Sequence, residues 1–228
     1  MARIVLVTGG ARSGKSQFAE QYLEACPGRH GYIATAQVLD DEMADRVARH
    51  RSRRPASWQT FEVPSGLGDR IASILQQADH ILLDCLTLYF SNFLLQRDGD
   101  DFSHILKEAE EEWDKVLRTV GQSLGGTFVI VTNELGSGIV PMAKVSRQYR
   151  DLIGFLNQRT AAAADEVYLS VCGITIEIKS RQVTLPVREE QLWRVFSSLS
   201  SSSRAYSWPG IWSGRMRPLA HRCAAFPW

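Results

Sequence analysis

Short apolar runs alternate with amphipathic segments along the first 180 residues of the chain. Most of these runs are rich in Val, Ile and Leu, which is typical of strands buried on both faces of a parallel sheet. The predicted strands span residues 3–8, 31–35, 57–63, 80–84, 127–133, 166–171 and 174–179. Between them, apolar residues recur every three or four positions, which predicts helices over 15–25, 40–54, 66–77, 103–123 and 143–164. Residues 86–95 are apolar enough for either a helix or a turn.

Two of the predicted helices carry well-defined apolar stripes. The helix predicted over 103–123 is expected to bury Ile105, Ala109, Trp113, Val116 and Val120. The helix predicted over 143–164 is expected to bury Val145, Tyr149, Leu152, Ile153 and Leu156. Alternating strands and helices favour an α/β fold with a mainly parallel sheet. Ligands of such a sheet bind at the carboxyl ends of its strands, so site residues are expected there.

The composition is that of a soluble globular protein. The chain has 228 residues, of which 44% are hydrophobic and 22% are charged. Since no apolar run approaches about 20 residues, we expect no membrane span, and the first segment resembles a strand rather than a signal peptide. The cysteines at positions 26, 85, 172 and 223 are scattered, which favours a reducing compartment, the cytoplasm, over a disulfide framework or a zinc site.

The composition changes near residue 180. Residues 1–180 hold 19 Lys and Arg against 23 Asp and Glu, a net charge of −4, whereas residues 181–228 hold 7 Arg against 2 Glu, a net charge of +5. We therefore expect a main domain over 1–180 and an appended tail over 181–228. The spacing over 188–199 is compatible with one more helix, followed by a disordered end. The alternative is a basic, tryptophan-bearing tail that contacts an anionic surface.

A glycine-rich loop connects the first strand to the first helix. Its residues are Gly9, Gly10, Ala11, Arg12, Ser13, Gly14, Lys15 and Ser16, and they fill every position of the P-loop pattern. Glycines let the backbone turn its N–H groups inward, and these donors and the positive helix end form a cradle for phosphate. Lys15 is expected to reach the β- and γ-phosphates, and Ser16 to bind Mg²⁺. The pattern disfavours an ordinary glycine turn, but it identifies neither the nucleotide nor the reaction.

Polar residues end two of the buried strands. Asp84 follows an apolar run, which is the position of the magnesium-side acid in P-loop proteins, although such an Asp also caps turns. With Ser16, it is the predicted Mg²⁺ site. Thr132, Asn133 and Glu134 end a second strand, where they would face the phosphates unless Asn133 caps the next turn.

His50 lies late in the helix predicted over 40–54, among five arginines. Arg46 and Arg54 are four residues to either side, so they share its helix face. An arginine cluster can bind a polyphosphate, and its positive field disfavours the charged imidazolium. A neutral imidazole can attack phosphorus and form a phosphoramidate. From spacing alone, however, a solvated helix face is the simpler interpretation.

Ten short motifs occur in order along the chain. They are GGARSGKS at 9–16, YIATAQ at 32–37, DDEM at 40–43 with Arg46 and His50, RP at 54–55 with Trp58, LDCLT at 83–87 with Asn92, VTNE at 131–134, GIVP at 138–141, RD at 150–151, NQ at 157–158 and ADEV at 164–167. With these motifs the chain resembles, over residues 3–179, the bifunctional adenosylcobinamide kinase / adenosylcobinamide-phosphate guanylyltransferase family.

The resemblance implies a P-loop (RecA-like) sheet with helices on both faces and two reactions. A nucleoside triphosphate, ATP or GTP, phosphorylates the aminopropanol hydroxyl of adenosylcobinamide, and GTP then transfers GMP to that phosphate. The family's guanylylated histidine corresponds to His50, which replaces the solvated-face interpretation. The implied catalytic residues are His50 and Lys15, and the nucleotide-binding set beyond the P-loop is Thr35, Arg46, Arg49, Arg54, Glu62 and Asp84.

The resemblance also implies Mg²⁺ and a homo-oligomer, a trimer as first expectation. We expect no nucleic-acid partner. Two other functions are kept as alternatives. One is a P-loop kinase of another small alcohol with a structural His50, and the other is a nucleotide-dependent switch or binding module. Neither needs a histidine on an arginine-rich helix.

Overall fold

A seven-stranded sheet organises the computed structural model, which describes residues 1–37, 55–97, 99 and 101–183. The strands are β1 (Arg3–Gly9), β2 (His30–Ala34), β3 (Gln59–Glu62), β4 (His80–Asp84), β5 (Thr127–Val131), β6 (Glu166–Val171) and β7 (Ile174–Glu177). Their order across the sheet is β3-β2-β4-β5-β1-β6-β7. The first six strands run parallel, and β7 pairs antiparallel with β6. The mainly parallel α/β sheet is thereby confirmed.

Five helices are described. They are α1 (Lys15–Glu24), α2 (Leu67–Gln77), α3 (Leu86–Leu95), α4 (Phe102–Gln122) and α5 (Lys144–Ala163), and a 3₁₀ turn covers Lys179–Arg181. The ambiguous segment Leu86–Leu95 is a helix that is buried around most of its circumference, which explains why it has no polar stripe. The helix predicted over 40–54 lies outside the described residues. Among the described helices, none has both the length and the apolar character needed to cross a bilayer.

Side chains from alternate positions of β1 enter two separate cores. Ile4 and Leu6 pack in the larger core, to which α2, α3, α4 and α5 contribute. Val5 and Val7 pack in the smaller core on the opposite face, together with residues of α1. Since both faces of the strand are buried, its sequence is continuously apolar rather than alternating. The prediction of helices on both faces is confirmed.

The apolar stripe predicted for α4 is confirmed, since all five of its residues are buried. Trp113 is the largest of them, and its Nε1 donates a hydrogen bond to Thr160 Oγ1 of α5 at 2.8 Å. On α5, Leu152, Ile153 and Leu156 are buried as predicted, but Val145 is 49% exposed. Val145 lies in the first turn of α5, ahead of the residues that reach the larger core, so the prediction for it is wrong.

Residues Met1–Gln182 form one compact unit that holds all the described strands and helices. The predicted tail begins at residue 181, and only 181–183 of it are described. The expected boundary near residue 180 and the helix over 188–199 therefore stay predictions.

Candidate active site

The P-loop leaves β1 at Gly9 and enters α1 at Lys15, with backbone conformations that favour glycine. Gly9 has a φ of 149° and Gly14 a φ of 97°, while Arg12 adopts a φ of 55°. A Cβ atom on Gly9 would lie 2.2 Å from the carbonyl oxygen of Ser170 on β6, so the loop packs directly against that strand. The carbonyl oxygen of Ser13 also accepts a hydrogen bond from Gly173 N at 2.9 Å. The loop is thereby held by β6 and by the turn that follows it.

Lys15 extends into this loop. Its Nζ donates to the carbonyl oxygen of Gly10 at 2.6 Å and to Ser13 Oγ at 3.4 Å, and the residue is 6% exposed. A buried ammonium within a glycine-rich turn at a helix N-terminus places three sources of positive potential together. The arrangement suits a polyphosphate anion.

Strand register brings other predicted residues to the same edge of the sheet. Ala34, the last residue of β2, pairs with Glu62 on β3 and with Asp84 on β4. Asp84 pairs in turn with Val131 of β5, which also pairs with Val7 of β1. The carboxyl ends of these strands thus form one edge with the P-loop, and α1 contacts both β4 and β5. This is the edge at which a parallel sheet binds its ligands.

Thr35 follows β2 at this edge and is fully buried. Its Oγ1 donates to the carbonyl oxygen of Cys85 and accepts from Cys85 N, both at 2.9 Å. Asn92 of α3 donates through Nδ2 to the carbonyl oxygens of Thr35 at 2.8 Å and Pro64 at 3.1 Å. The sequence motifs include both residues, but their bonding to each other is visible only in the folded chain. The nucleotide-binding role predicted for Thr35 stays a prediction.

A second hydrogen-bonded group connects β5 to α3 and α5. Asn133 Nδ2 donates to Thr87 Oγ1 at 2.9 Å, and Tyr149 OH donates to the Thr87 carbonyl oxygen at 2.7 Å. Asn157 Nδ2 donates to the Asn133 carbonyl oxygen at 3.1 Å, and Asn157 Oδ1 accepts from Thr132 Oγ1 at 2.7 Å. Thr132 and Asn133, which follow β5, are therefore hydrogen-bonded to α3 and α5, a partnership that spacing did not indicate.

Glu134 accepts hydrogen bonds from the two loop residues Gly136 and Ser137 that follow it in the chain. Its carboxylate accepts hydrogen bonds from Ser137 Oγ at 2.6 Å, Ser137 N at 3.1 Å and Gly136 N at 2.7 Å. The Ser137 hydroxyl and these backbone donors lower the pKa of Glu134. A carboxylate stabilised in its ionised form is a weak proton acceptor, so this geometry does not favour Glu134 as a general base.

Cys85 follows Asp84 and lies beneath the edge. Burial, with the nearby charge of Asp84, raises the pKa of Cys85 to about 11. Its Sγ lies 2.9 Å from Thr87 Oγ1. The thiol is therefore neutral at physiological pH and is not an activated nucleophile.

Ser16 and Asp84 suit the predicted magnesium site by the chemistry of their donors. Ser16 lies in the first turn of α1, and Asp84 ends β4, a strand that α1 contacts. Mg²⁺ prefers oxygen ligands and is commonly held by one or two carboxylates and the phosphates of a nucleotide. Within the described ranges no group of three His, Cys, Asp or Glu forms a metal cluster, and a nucleotide-bound Mg²⁺ needs none.

Four predicted site residues lie outside the described residues. They are Arg46, Arg49, His50 and Arg54. The arginine-surrounded histidine therefore stays a prediction from the sequence.

Comparison with known proteins identifies, over most of the chain, the same family that the sequence motifs resemble. The model of the family described as cobinamide kinase / cobinamide phosphate guanyltransferase (CobU) matches residues 5–178. The bifunctional adenosylcobalamin biosynthesis protein CobU of Salmonella typhimurium is 43% identical over 182 residues, which are 77% of this chain and 99% of that protein. The Escherichia coli protein of the same name is 40% identical over 188 residues, with 77% and 99% covered. The bifunctional adenosylcobalamin biosynthesis protein CobP of Pseudomonas aeruginosa is 39% identical over 174 residues, with 76% and 96% covered.

Proposed function

The chain belongs to the cobinamide kinase / cobinamide phosphate guanyltransferase family, and we propose that its P-loop serves the kinase reaction and His50 the guanylyl transfer. It is a bifunctional enzyme of cobalamin biosynthesis, a kinase and a guanylyltransferase. The two activities are those of the family, and the assignment of residues to each is ours.

In the kinase reaction, the aminopropanol hydroxyl oxygen of adenosylcobinamide forms a bond to the γ-phosphorus of a nucleoside triphosphate. The bond from that phosphorus to the bridging oxygen breaks, the nucleoside diphosphate leaves, and the hydroxyl proton is released to the solution. Such a transfer depends on positioning and on neutralising negative charge. Lys15, buried at 6% exposure within the loop, and the P-loop N–H groups would supply both.

Ser16 and Asp84 would hold Mg²⁺ at this nucleotide, through a hydroxyl and a carboxylate oxygen. When bound, the ion neutralises phosphate charge. Asp84 is suited to this role because it ends β4 at the ligand-binding edge.

In the guanylyl transfer, an imidazole nitrogen of His50 forms a bond to the α-phosphorus of GTP, and pyrophosphate leaves. A phosphate oxygen of adenosylcobinamide phosphate then forms a bond to the same phosphorus, and the P–N bond breaks. The products are adenosylcobinamide-GDP and free histidine. Arg46, Arg49 and Arg54 are proposed to bind the phosphates that His50 attacks.

The observation that carries this proposal is the occurrence of both the P-loop and His50 within the 5–178 match. A kinase of another small alcohol would leave the arginine-surrounded histidine without a function. Incubation with α-phosphate-labelled GTP tests the proposal, because His50 alone is expected to retain the label.

Three finer expectations accompany it. The phosphate donor is ATP or GTP, as the resemblance implies. The enzyme assembles as a homo-oligomer, with a trimer as the first expectation. It acts in the cytoplasm, which the scattered cysteines support.

A further inference from the structure

Hydrogen bonds of the Thr35 and Asn92 side chains connect the segments that follow β2, β3 and β4, three neighbouring strands. Cys85, one of the residues they contact, directly follows Asp84 in the chain. Thr35 follows β2, Pro64 follows β3 and Cys85 follows β4. Both side chains are buried, at 0% exposure for Thr35 and 8% for Asn92.

The hydroxyl of Thr35 satisfies both backbone groups of the residue after Asp84. It accepts from Cys85 N and donates to the carbonyl oxygen of Cys85, each at 2.9 Å. Cys85 is also the N-cap residue of α3, and its carbonyl oxygen accepts the first helical hydrogen bond from Tyr89 N at 3.1 Å. One buried hydroxyl therefore fixes the turn through which the chain passes from Asp84 into a helix.

Asn92 closes the arrangement from the other end of that helix. The two hydrogens of its amide match two acceptors, the carbonyl oxygen of Thr35 at 2.8 Å and that of Pro64 at 3.1 Å. The chain from Cys85 through α3 to Asn92 thus returns to Thr35, which contacts Cys85. A closed hydrogen-bonded ring of buried groups is rigid, because opening any member leaves a buried donor or acceptor unsatisfied.

We propose that Thr35 and Asn92 are positioning residues, which orient Asp84 for the Mg²⁺ of the bound nucleotide without contacting the nucleotide themselves. This inference rests on the proposed magnesium role of Asp84. It differs from the role expected for Thr35 from the sequence, because the Thr35 hydroxyl is already engaged with Cys85 and is fully buried. Groups that orient a metal ligand typically contribute 10–100-fold in metal affinity.

The test measures how much Mg²⁺ strengthens nucleotide binding in the full-length enzyme. Calorimetry gives the Kd of a non-hydrolysable GTP analogue in excess Mg²⁺ and in EDTA, and the ratio is the magnesium gain. Thr35→Val keeps the shape of the side chain but removes its hydroxyl. We expect it to lower the magnesium gain about tenfold and to leave the Kd in EDTA within about twofold of the wild type. Thr35→Ser, which keeps the hydroxyl, should restore most of the gain.

Matched variants separate this role from a general effect on folding. Thr119→Val removes an exposed α4 hydroxyl that donates to the Lys115 carbonyl oxygen, and it should leave the gain unchanged. If Thr35→Val does not fold, Asn92→Ala replaces it and should lower the gain in the same way. In an Asp84→Ala background, Thr35→Val should cause no further loss of gain.

The possible failures are distinguishable. A gain retained by Asp84→Ala overturns the magnesium role of Asp84, and the positioning role falls with it. A gain lost by Asp84→Ala but retained by Thr35→Val, or by Asn92→Ala in its place, overturns the positioning role alone. Equal weakening of binding with and without Mg²⁺ in Thr35→Val also overturns it, because that result indicates a direct effect on the nucleotide.

Discussion

The Nζ of Lys15 lies 2.6 Å from the carbonyl oxygen of Gly10, within the loop that both residues build. The contact spans five residues and orients the lysine over its own loop rather than toward solvent. Because the ammonium is already largely desolvated, a phosphate that enters the loop meets a cation that loses little further hydration.

Replacement of this lysine should abolish most of the kinase activity. We expect Lys15→Ala to lower kcat for cobinamide phosphorylation by about 10²–10³-fold, the usual effect of removing one preorganised donor to the transferred phosphate. Steady-state assays with a γ-phosphate-labelled donor measure this. Lys107→Ala removes an exposed lysine that pairs with Glu111 on α4 and should leave kcat unchanged. Turnover of Lys15→Ala close to that of the wild type would refute the role of the loop.

The close packing of Gly9 predicts a large cost for an added methyl group. Gly9→Ala would place a Cβ 2.2 Å from the Ser170 carbonyl oxygen and force a φ of 149° on an alanine. We expect the free energy of unfolding to fall by about 2 kcal/mol or more, from overpacking and backbone strain. Gly154→Ala is the matched control, since nothing lies within 4 Å of its Cβ position on α5. It should stabilise the protein by up to about 1 kcal/mol, through helix propensity. Denaturant titrations that give equal stability for the two variants would contradict the packing of the loop.

Two cysteines should differ sharply in reactivity. Cys85 is 7% exposed, and its burial raises its pKa to about 11, whereas Cys172 is exposed. We expect iodoacetamide at pH 8 to modify Cys172 in the native enzyme and to leave Cys85 intact, as mapped by mass spectrometry. Equal modification of the two cysteines would contradict the burial of Cys85.

The same thiol predicts a pH dependence of stability. The folded protein holds the Cys85 proton to a higher pH than the unfolded chain does, because the folded pKa is raised from 9.0 to about 11. Between these two pKa values the unfolded state therefore binds fewer protons than the folded state, and the free energy of unfolding falls as the pH rises through this range. Relative to Cys85→Ala, the wild type should lose roughly 1 kcal/mol between pH 8 and pH 10 in urea titrations. A constant difference between the two proteins would contradict the shift.

Local sequence patterns are sufficient to predict most of the described strands and helices, and the P-loop. The apolar runs place the central strands β1, β2, β4 and β5 to within a few residues, because a strand buried on both faces has little room for polar side chains. The edge strands β3 and β7 are more exposed, and their segments contain polar residues. The stripe of α4 is periodic from Ile105 to Val120, about four turns, so Trp113 and its neighbours could be assigned to the core. The prediction for Val145 is wrong because periodicity gives the direction of a side chain but not how far the opposing layer extends.

Long-range pairing could not be predicted. The Thr35 hydroxyl bonds to Cys85 fifty residues later, and the Asn92 amide bonds to Thr35 across 57 residues. Such partners depend on the strand order, in which β4 lies beside β2 although β3 comes between them in the sequence. Spacing alone could therefore indicate that Thr35 lies at the ligand-binding edge, but not which groups its hydroxyl contacts.

The most direct test of the account is the transfer of label from α-phosphate-labelled GTP to the enzyme in the presence of Mg²⁺. We expect acid-labile, base-stable label on the wild type, typical of a phosphoramidate, and none when the label is in the γ-phosphate. His104→Ala, which replaces an exposed histidine on α4, should retain the label. His50→Ala should lose it completely. Undiminished label on His50→Ala would contradict the assignment of His50 as the guanylylated nucleophile.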